Sequence, residues 1–486
     1  MLEQSVRDKY TAIIGLEVHA QLMTESKMFC ADSNKFGAEP NTNISTISLG
    51  HPGVLPKANK KAFDYAIMMG LACECEITKE NIFARKNYFY PDLPKGYQVT
   101  QDKAPICVGG KVWVKPEGAE KEHTVQLNRI HLEEDAGKSM HLAGETETLV
   151  DYNRAGVPLI EIVTEPVLKS SAEAAAFLTE IRKLVRYLNI CDGNMEEGSL
   201  RCDANISVML NGAEKLGNKV EVKNMNSIRN VKRAVDHEIE RQIEELEKGS
   251  TIISETRDFD ADSGTTSSLR TKEDLNDYRY FPEPDLSPII VDDAWISEIK
   301  ELMPALPREL KQKFMEQYEL PEYDAQILTD NKETAFYFEA LCKGVSNCKV
   351  ASNWLMGTVK SYLNDVGITI EAFSISPQRL AELINLVEQN KVSNSAAAQK
   401  IFPIMLKEPN KGALSIAEEQ NLIQDSSSDS IQPIVEEVLN DMSDKVKAYK
   451  SGKKGLIGLF MGEVMKRSKG KADPQVAQKL LKEVLD

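Results

Sequence analysis

The stretch IGLEVHAQL, residues 14–22, alternates apolar and polar side chains without a break. Successive side chains of an extended strand point to opposite faces. Leu16, Val18, Ala20 and Leu22 therefore share one face, and Glu17, His19 and Gln21 share the other. Three more segments behave alike. In SLRCDANISV (199–208), Leu200, Cys202, Ala204, Ile206 and Val208 oppose Arg201, Asp203, Asn205 and Ser207. In KVEVKN (219–224), Val220 and Val222 oppose Lys219, Glu221 and Lys223. In RIHLEEDAG (129–137), the apolar Ile130 and Leu132 are followed by the adjacent carboxylates Glu133 and Glu134. Such patterns predict an antiparallel sheet with one buried and one open face.

A solvated sheet face accounts for any one of these strands. Four together allow a second reading, in which their carboxylates converge. Converging carboxylates repel unless a cation neutralises them, and hard oxygen ligands favour Mg²⁺ or Ca²⁺. A histidine beside them suits a metal ligand or a proton acceptor. Lys219, Lys223, Arg201 and the pair Arg85–Lys86 are then placed to hold phosphates. The segments RKNYFYPDLPKGYQ (85–98) and DYRYFPEPDL (277–286) interleave aromatic and charged residues. That mixture serves either base stacking or a small core under a loop.

Around the strands lie two predicted helices. Ser170 and Glu173 have capping-box spacing, and Phe177, Leu178, Ile181, Leu184, Val185 and Leu188 follow at helical period. A second stripe, Val231, Val235, Ile239, Ile243 and Leu246, predicts a helix over 228–248. Beyond about residue 296 the pattern is almost wholly helical, after a junction marked by Pro282, Pro284, Pro288, Pro304 and Pro307. The expected fold class is α+β. A first domain over 1–295 carries the antiparallel sheet and its packing helices; helical domains follow over 296–410 and 411–486. DSSSDS (425–430) reads as a linker or long loop ahead of a small helical module.

The 486 residues, 42% hydrophobic and 28% charged, are those of a soluble globular protein. No window approaches eighteen uninterrupted apolar residues, and MLEQSVRDKY lacks a signal-peptide h-region, so the expected location is cytoplasmic, with no membrane partner. The eight cysteines show no secreted framework and read as reduced thiols packed as small apolar residues. There is no phosphate loop of the Gly-x-x-x-x-Gly-Lys-Ser/Thr type, no dinucleotide fingerprint, no kinase set, no Gly-x-Ser-x-Gly elbow and no Gly/Ser-rich amidase signature. A net charge of −16 argues against a nucleic-acid partner. The tail nevertheless gathers Lys453, Lys454, Lys466, Arg467, Lys469 and Lys471. A local basic cluster neutralises phosphates whatever the total charge.

Taken in order, IGLEVHAQL, FGAEPNTN (36–43), RKNYFYPD (85–92), HLEEDAGKS (131–139), DYNRAGVPLIEIVTEP (151–166), MEEGSLRCDANIS (195–207), ETRDFD (255–260) and DYRYFPEPD (277–285) strongly resemble the B subunits of bacterial aspartyl/glutamyl-tRNA amidotransferases. SNWLMG (352–357) and the stretch 452–474 extend the likeness to the C-terminal part. The resemblance implies a cradle-shaped catalytic domain that phosphorylates the carboxylate of mischarged glutamyl-tRNA(Gln) or aspartyl-tRNA(Asn) with ATP. It implies an amidase partner, the A subunit, which sends ammonia through a channel, and a small bracing C subunit. It places Glu17, His19 and Glu134 at a resident Mg²⁺, and Glu133, Asp203 and Glu221 at a second divalent site. Lys86 matches a lysine at the channel exit. It also implies tRNA recognition by the basic tail.

One departure stands out. Many relatives carry a zinc knuckle around FGAEPNTN, where this chain keeps Cys30 but has Asp32, Ser45 and Ser48. One thiolate cannot build a tetrahedral zinc site, so no zinc is expected. Two rival readings carry different expectations. A non-catalytic RNA-binding scaffold tolerates Glu134→Gln or His19→Ala. A stand-alone carboxylate–amine ligase needs no amidase partner.

Overall fold

The computed structural model describes residues 2–141, 144, 146–271, 278–424, 427–468 and 471–485. It divides into two compact units, Met1–Leu306 and Pro307–Asp486.

The first unit is built on a thirteen-stranded sheet. Ten strands form its continuous path: β1 (Tyr10–Gln21), β2 (Ala84–Asn87), β3 (Tyr97–Thr100), β4 (His123–Glu134), β5 (Pro158–Thr164), β6 (Leu200–Leu210), β7 (Val220–Lys223), β8 (Glu255–Asp260), β9 (Thr265–Thr271) and β10 (Arg279–Pro282). Their order is β9-β8-β7-β6-β1-β5-β4-β3-β2-β10. The pairings along this path are antiparallel except β7 with β8, which run parallel. The long strand β1 thus sits in the middle, between β6 and β5.

Alternation fixes which way the sheet faces. Ile14, Leu16, Val18 and Ala20 are fully buried, as are Leu200, Ala204, Ile206, Val220 and Val222. Each such Leu or Ile contributes about 1.5–3 kcal/mol by leaving water. They pack in one core with helices α2 (Ser171–Tyr187) and α3 (Ile228–Glu247), whose Phe177, Ile181, Val185, Val231, Val235 and Ile239 are also buried; α1 (Lys60–Ala72) joins the same core. Ser170 caps α2 by accepting from the Glu173 N–H at 3.2 Å, and the Glu173 carboxylate reaches back to the Lys169 N–H at 2.7 Å. Ser227 caps α3 in the same manner. With one face consumed by this core, the polar residues of β1, β6 and β7 all emerge on the other. The unit also takes in α4 (Asp293–Leu302), whose Ile299 is buried and whose Trp295 donates its indole N–H to Asp64 at 2.9 Å.

The second unit is helical throughout its described residues. Two of its helices contain π-helical turns, Leu355–Val359 and Ala397–Ile401. Its C-terminal helices have their own core of Ile431, Val435, Phe460, Val464, Leu480 and Leu481. The expected linker at 425–430 is corrected in part: Ser428 to Ser430 form the first turn of the helix Ser428–Asp441, while Asp425 and Ser426 lie outside the described residues. Among the described residues, no helix is long and apolar enough to cross a membrane.

Candidate active site

On the polar face, strand register sets side chains into rows. Glu17 of β1 lies opposite Asp203 of β6. One pleat further on, His19 lies opposite Arg201 on one side and Glu161 of β5 on the other, and Glu161 in turn faces His131 of β4. Asn205 pairs with Glu221 of β7, and Glu221 with Thr256 of β8. These rows floor a pocket of about 410 Å³ that also holds Glu133, Lys86, Lys219 and Lys223.

Two acidic clusters result. In His19, Glu133 and Glu161, and again in Glu17, Asp203 and Glu221, potential ligand atoms lie within 4.8 Å of one another. His19 Nε2 is 3.4 Å from Glu161 and 3.8 Å from Glu133. His131 approaches the same two carboxylates from behind, at 3.3 and 3.6 Å. Asn205 donates to Glu17 Oε1 at 2.9 Å, Thr256 to Glu221 Oε2 at 2.8 Å, and Thr100 to Glu133 Oε2 at 3.2 Å. Lys223 ion-pairs with Asp203 and, at 2.9 Å, with Glu221.

The electrostatics separate the two clusters. Burial, followed by the charges of Glu161, Glu221 and Asp203, pushes the Glu17 carboxyl above its ordinary range. Glu161 goes the other way: burial opposes ionisation, yet hydrogen bonds from His131 and His19 hold it well below that range. Burial disfavours the His131 cation, but Glu133 and Glu161 push it up to about 9. His19 is raised by the same acids against its own burial. Lys223 is raised by Asp203 and Glu221, again against burial. The pocket is therefore rich in carboxylates whose charge is only partly balanced by protein cations, an environment that suits a divalent cation.

Several sequence expectations change here. Glu134 does not join the clusters. Adjacent strand residues diverge, so with His131 and Glu133 on the polar face, Glu134 follows Leu132 to the opposite one. There it ion-pairs with Lys95, accepts the Val99 N–H at 3.0 Å, and borders a separate cavity of about 200 Å³. Glu161 takes the place expected for Glu134. Arg201 points its guanidinium to Asp135 at 2.8 Å, an acid that also accepts from Gln21 at 2.8 Å, so its charge is already matched. Lys86 does enter the pocket, 4.6 Å from the ring centre of Tyr278, and Lys219 stands exposed at its edge. The residues the sequence reading missed are Glu161 and His131. Glu161 is a single charge inside the apolar run PLIEIVT, and His131 lies between Ile130 and Leu132. In both cases a charged or polar group lodged in an apolar stretch is the available signal.

The four positions of the lost knuckle, Cys30, Asp32, Ser45 and Ser48, do meet, but as a hydrogen-bonded group. Ser48 Oγ donates to Asp32 at 2.6 Å and accepts the Ser45 N–H at 2.9 Å. Burial pushes the Cys30 thiol up to about 11. Beside them the fully buried Lys27 donates to the Asn43 carbonyl at 2.7 Å. A single protonated thiol among hydroxyls does not fit zinc. In the tail, Lys453, Lys454, Lys466 and Lys471 are exposed, whereas Arg467 is held by Asp441 at 2.7 Å and Glu437 at 3.2 Å. Lys469 lies outside the described residues.

Residues 12–297 match the family model of the GatB/GatE catalytic domain, and residues 336–485 match that of the GatB domain. The chain is 47% identical to the aspartyl/glutamyl-tRNA(Asn/Gln) amidotransferase B subunit of Salinibacter ruber, over 99% of this chain and 97% of that one. It is also 47% identical to the proteins of that name from Caldicellulosiruptor bescii (98% and 99% covered) and Geotalea daltonii (97% and 98% covered). The sheet that carries the two acidic clusters thus falls inside the matched catalytic domain, and the chain belongs to the GatB family of amidotransferase B subunits.

Proposed function

We propose that this protein transfers the γ-phosphoryl group of ATP to the side-chain carboxylate of a mischarged glutamyl-tRNA(Gln) or aspartyl-tRNA(Asn), and that ammonia from a partner amidase then displaces the phosphate. A carboxylate is a poor acyl donor. Phosphorylation converts one of its oxygens into a leaving group: ADP departs in the first step, and phosphate departs as the C–N bond forms in the second. The ammonium proton is lost in the second step. The observation that carries this reading is the convergence of Glu17, Asp203 and Glu221 with His19, Glu133 and Glu161 in one lysine-bordered pocket.

The donor set fits two hard divalent cations. Five carboxylates and one imidazole offer mostly oxygen, and burial together with the neighbouring acids pushes the Glu17 carboxyl upward. Mg²⁺ held by these two groups would supply charge neutralisation for phosphate oxygens. Lys219 and Lys223 border the same pocket and suit phosphate contacts; Lys223 would exchange Asp203 and Glu221 for them. Lys86, whose charge burial opposes but Glu133 favours, stands where it can orient the acyl group or meet incoming ammonia. The exposed tail lysines suit recognition of tRNA by its phosphates and shape. The complex in this reading is a heterotrimer with the amidase and the small bracing chain, working in the cytoplasm.

The test is radiolabelled-ATP turnover by the assembled complex, given each mischarged tRNA in turn. Asp203→Asn and Glu161→Gln should each cost several kcal/mol of barrier, at least about a hundredfold in rate. Wild-type ATP hydrolysis that ignores mischarged tRNA would sink the proposal.

A further inference from the structure

Strand β4 carries one more charged side chain on the polar face than the two acidic clusters use. Parity puts Arg129 with His131 and Glu133, one pleat before His131 and about 7 Å from it at the strand rise. Arg129 is half-buried and lines the acidic pocket. Its neighbours in register are Val163 on β5 and, on the other side, Val108 of the short strand Cys107–Val108, so no carboxylate stands across from it. It donates to the Asp102 carbonyl at 3.2 Å, and among the described residues no carboxylate ion-pairs with it. A guanidinium has five N–H donors, and one neutral carbonyl leaves its charge unmatched. By contrast, Asp135 matches Arg201, and Asp203 and Glu221 match Lys223.

Sheet order locates this charge relative to the others. From β7 to β4 is about 19 Å at ordinary strand spacing. Along that line come Lys219 and Lys223, then Glu221, Asp203 and Glu17, then His19, Glu161 and Glu133, with Arg129 at the far end. Lys86 enters from the same end as Arg129: burial raises the Tyr280 phenol, while the Lys86 and Arg129 charges both pull it down.

We infer that Arg129 binds the side-chain carboxylate of the mischarged aminoacyl group and so selects the acid over its amide. The inference rests on the function proposed above, and deepens it by naming what recognises the acceptor. Phosphoryl transfer needs its donor and acceptor on opposite sides of the phosphorus. With Lys219 and Lys223 at the phosphate end, the acceptor belongs at the other, where Arg129 stands. A planar fork suits a carboxylate, and charge-assisted bonds are about twice as strong as neutral ones. One carboxylate oxygen accepts from Arg129 while the other forms the O–P bond as the bond to ADP breaks. The oxygen on Arg129 is then the acyl carbonyl. It gathers negative charge as ammonia attacks the carbon, and gives it up when phosphate leaves. The product amide offers the fork one neutral oxygen and an NH₂ group, and a guanidinium accepts nothing from the latter.

The test is filter binding without ATP, on the assembled complex, of glutamyl-tRNA, glutaminyl-tRNA of the same sequence and the uncharged tRNA. Wild type should hold glutamyl-tRNA most tightly. Arg129→Ala, and Arg129→Gln, which keeps a donor for the Asp102 carbonyl, should each shrink that preference by about 10-fold or more. Affinity for the other two tRNAs and the KM for ATP should stay as they are. Arg129→Lys restores the charge without the fork and should recover part of the preference. A wild-type preference in both neutral variants would overturn the inference. So would an equal loss for all three tRNAs, which makes Arg129 a support for the Asp102 turn. A KM for ATP raised by about 10-fold with the preference intact would put Arg129 on a phosphate and overturn it as well. Wild-type complex that forms no ADP in response to mischarged tRNA removes the parent reading; normal ADP formation with an unaltered preference in the variants removes the role of Arg129 alone.

Discussion

At the scale of single residues, the pair Glu133–Glu134 shows how far alternation can be trusted. Neighbouring carboxylates look like one acidic patch, yet a strand sends them to opposite faces. Glu133 meets His19; Glu134 meets Lys95. Had the parity of Ile130 and Leu132 been carried two residues further, Glu134 would have been assigned to the buried side from sequence alone. The consequence is measurable by Mn²⁺ titration with electron paramagnetic resonance. Glu161→Gln should weaken divalent-ion binding strongly, while Glu134→Gln should leave it within a few-fold of wild type. His131 supplies a finer test. Buried, with Nδ1 unpartnered, it lines the pocket beside Glu161 and Glu133 but stands outside both groups of potential ligands, so it acts by holding those acids in place. Removing such a support typically costs about 10–100-fold in metal affinity. His131→Ala should show that loss, and His131→Gln, which keeps a donor near Glu161, should recover most of it. Equal affinities for wild type and His131→Ala would deny His131 this role.

At the scale of elements, legibility followed burial. Strands β1, β6 and β7 were readable because each buries one face and leaves the other polar. Strand β5 was not, because Leu159 on its polar side is buried too and the run PLIEIVT shows almost no alternation. A central strand flanked by two long neighbours hides its one functional residue in an apolar word. The loop over residues 27–48 presents the reverse case: its lost cysteines were plain in the sequence, but the replacement contacts were not, since they depend on Lys27 and Asp32 meeting across the loop. Hydrogen bonds from Ser48, Cys30 and Ser45 hold the Asp32 carboxyl below its ordinary range despite partial burial. The sign follows from linkage. The carboxylate's contribution is complete above the unfolded-state value near 4, and disappears as pH falls through the lower folded value. Asp32→Ala should therefore destabilise the first unit by about 1–3 kcal/mol at neutral pH, and by progressively less in acid. Thermal melts across pH check this, and a zinc-selective chelator in excess Mg²⁺ should leave the wild-type melting temperature unmoved. A chelator-induced drop would show that a metal, rather than this hydrogen-bonded group, holds the loop.

At the scale of the whole molecule, a chain of net charge −16 is asked to bind a polyanion. Averaged over the surface, that charge repels RNA; what decides is how many cations remain unpaired where the RNA lies. The sequence could count six basic residues in the tail but could not say which were already neutralised. Arg467 is matched by Asp441 and Glu437, and Lys466 lies 3.9 Å from Glu463. Lys453, Lys454 and Lys471 are exposed, and the Lys454 ammonium lies over the Tyr449 ring at 4.3 Å. Each phosphate contact releases condensed counterions, so each contributes just under one unit to the slope of log affinity against log salt. Replacing Lys453, Lys454 and Lys471 with alanine should lower that slope by roughly two to three units and weaken tRNA binding at low salt most. Arg467→Ala should leave the slope unchanged, because its charge is spent on the helix pair it joins. Filter binding of one tRNA over a range of salt concentrations separates the two outcomes. A triple variant with the wild-type slope would move the tRNA contact away from this tail and onto the catalytic unit.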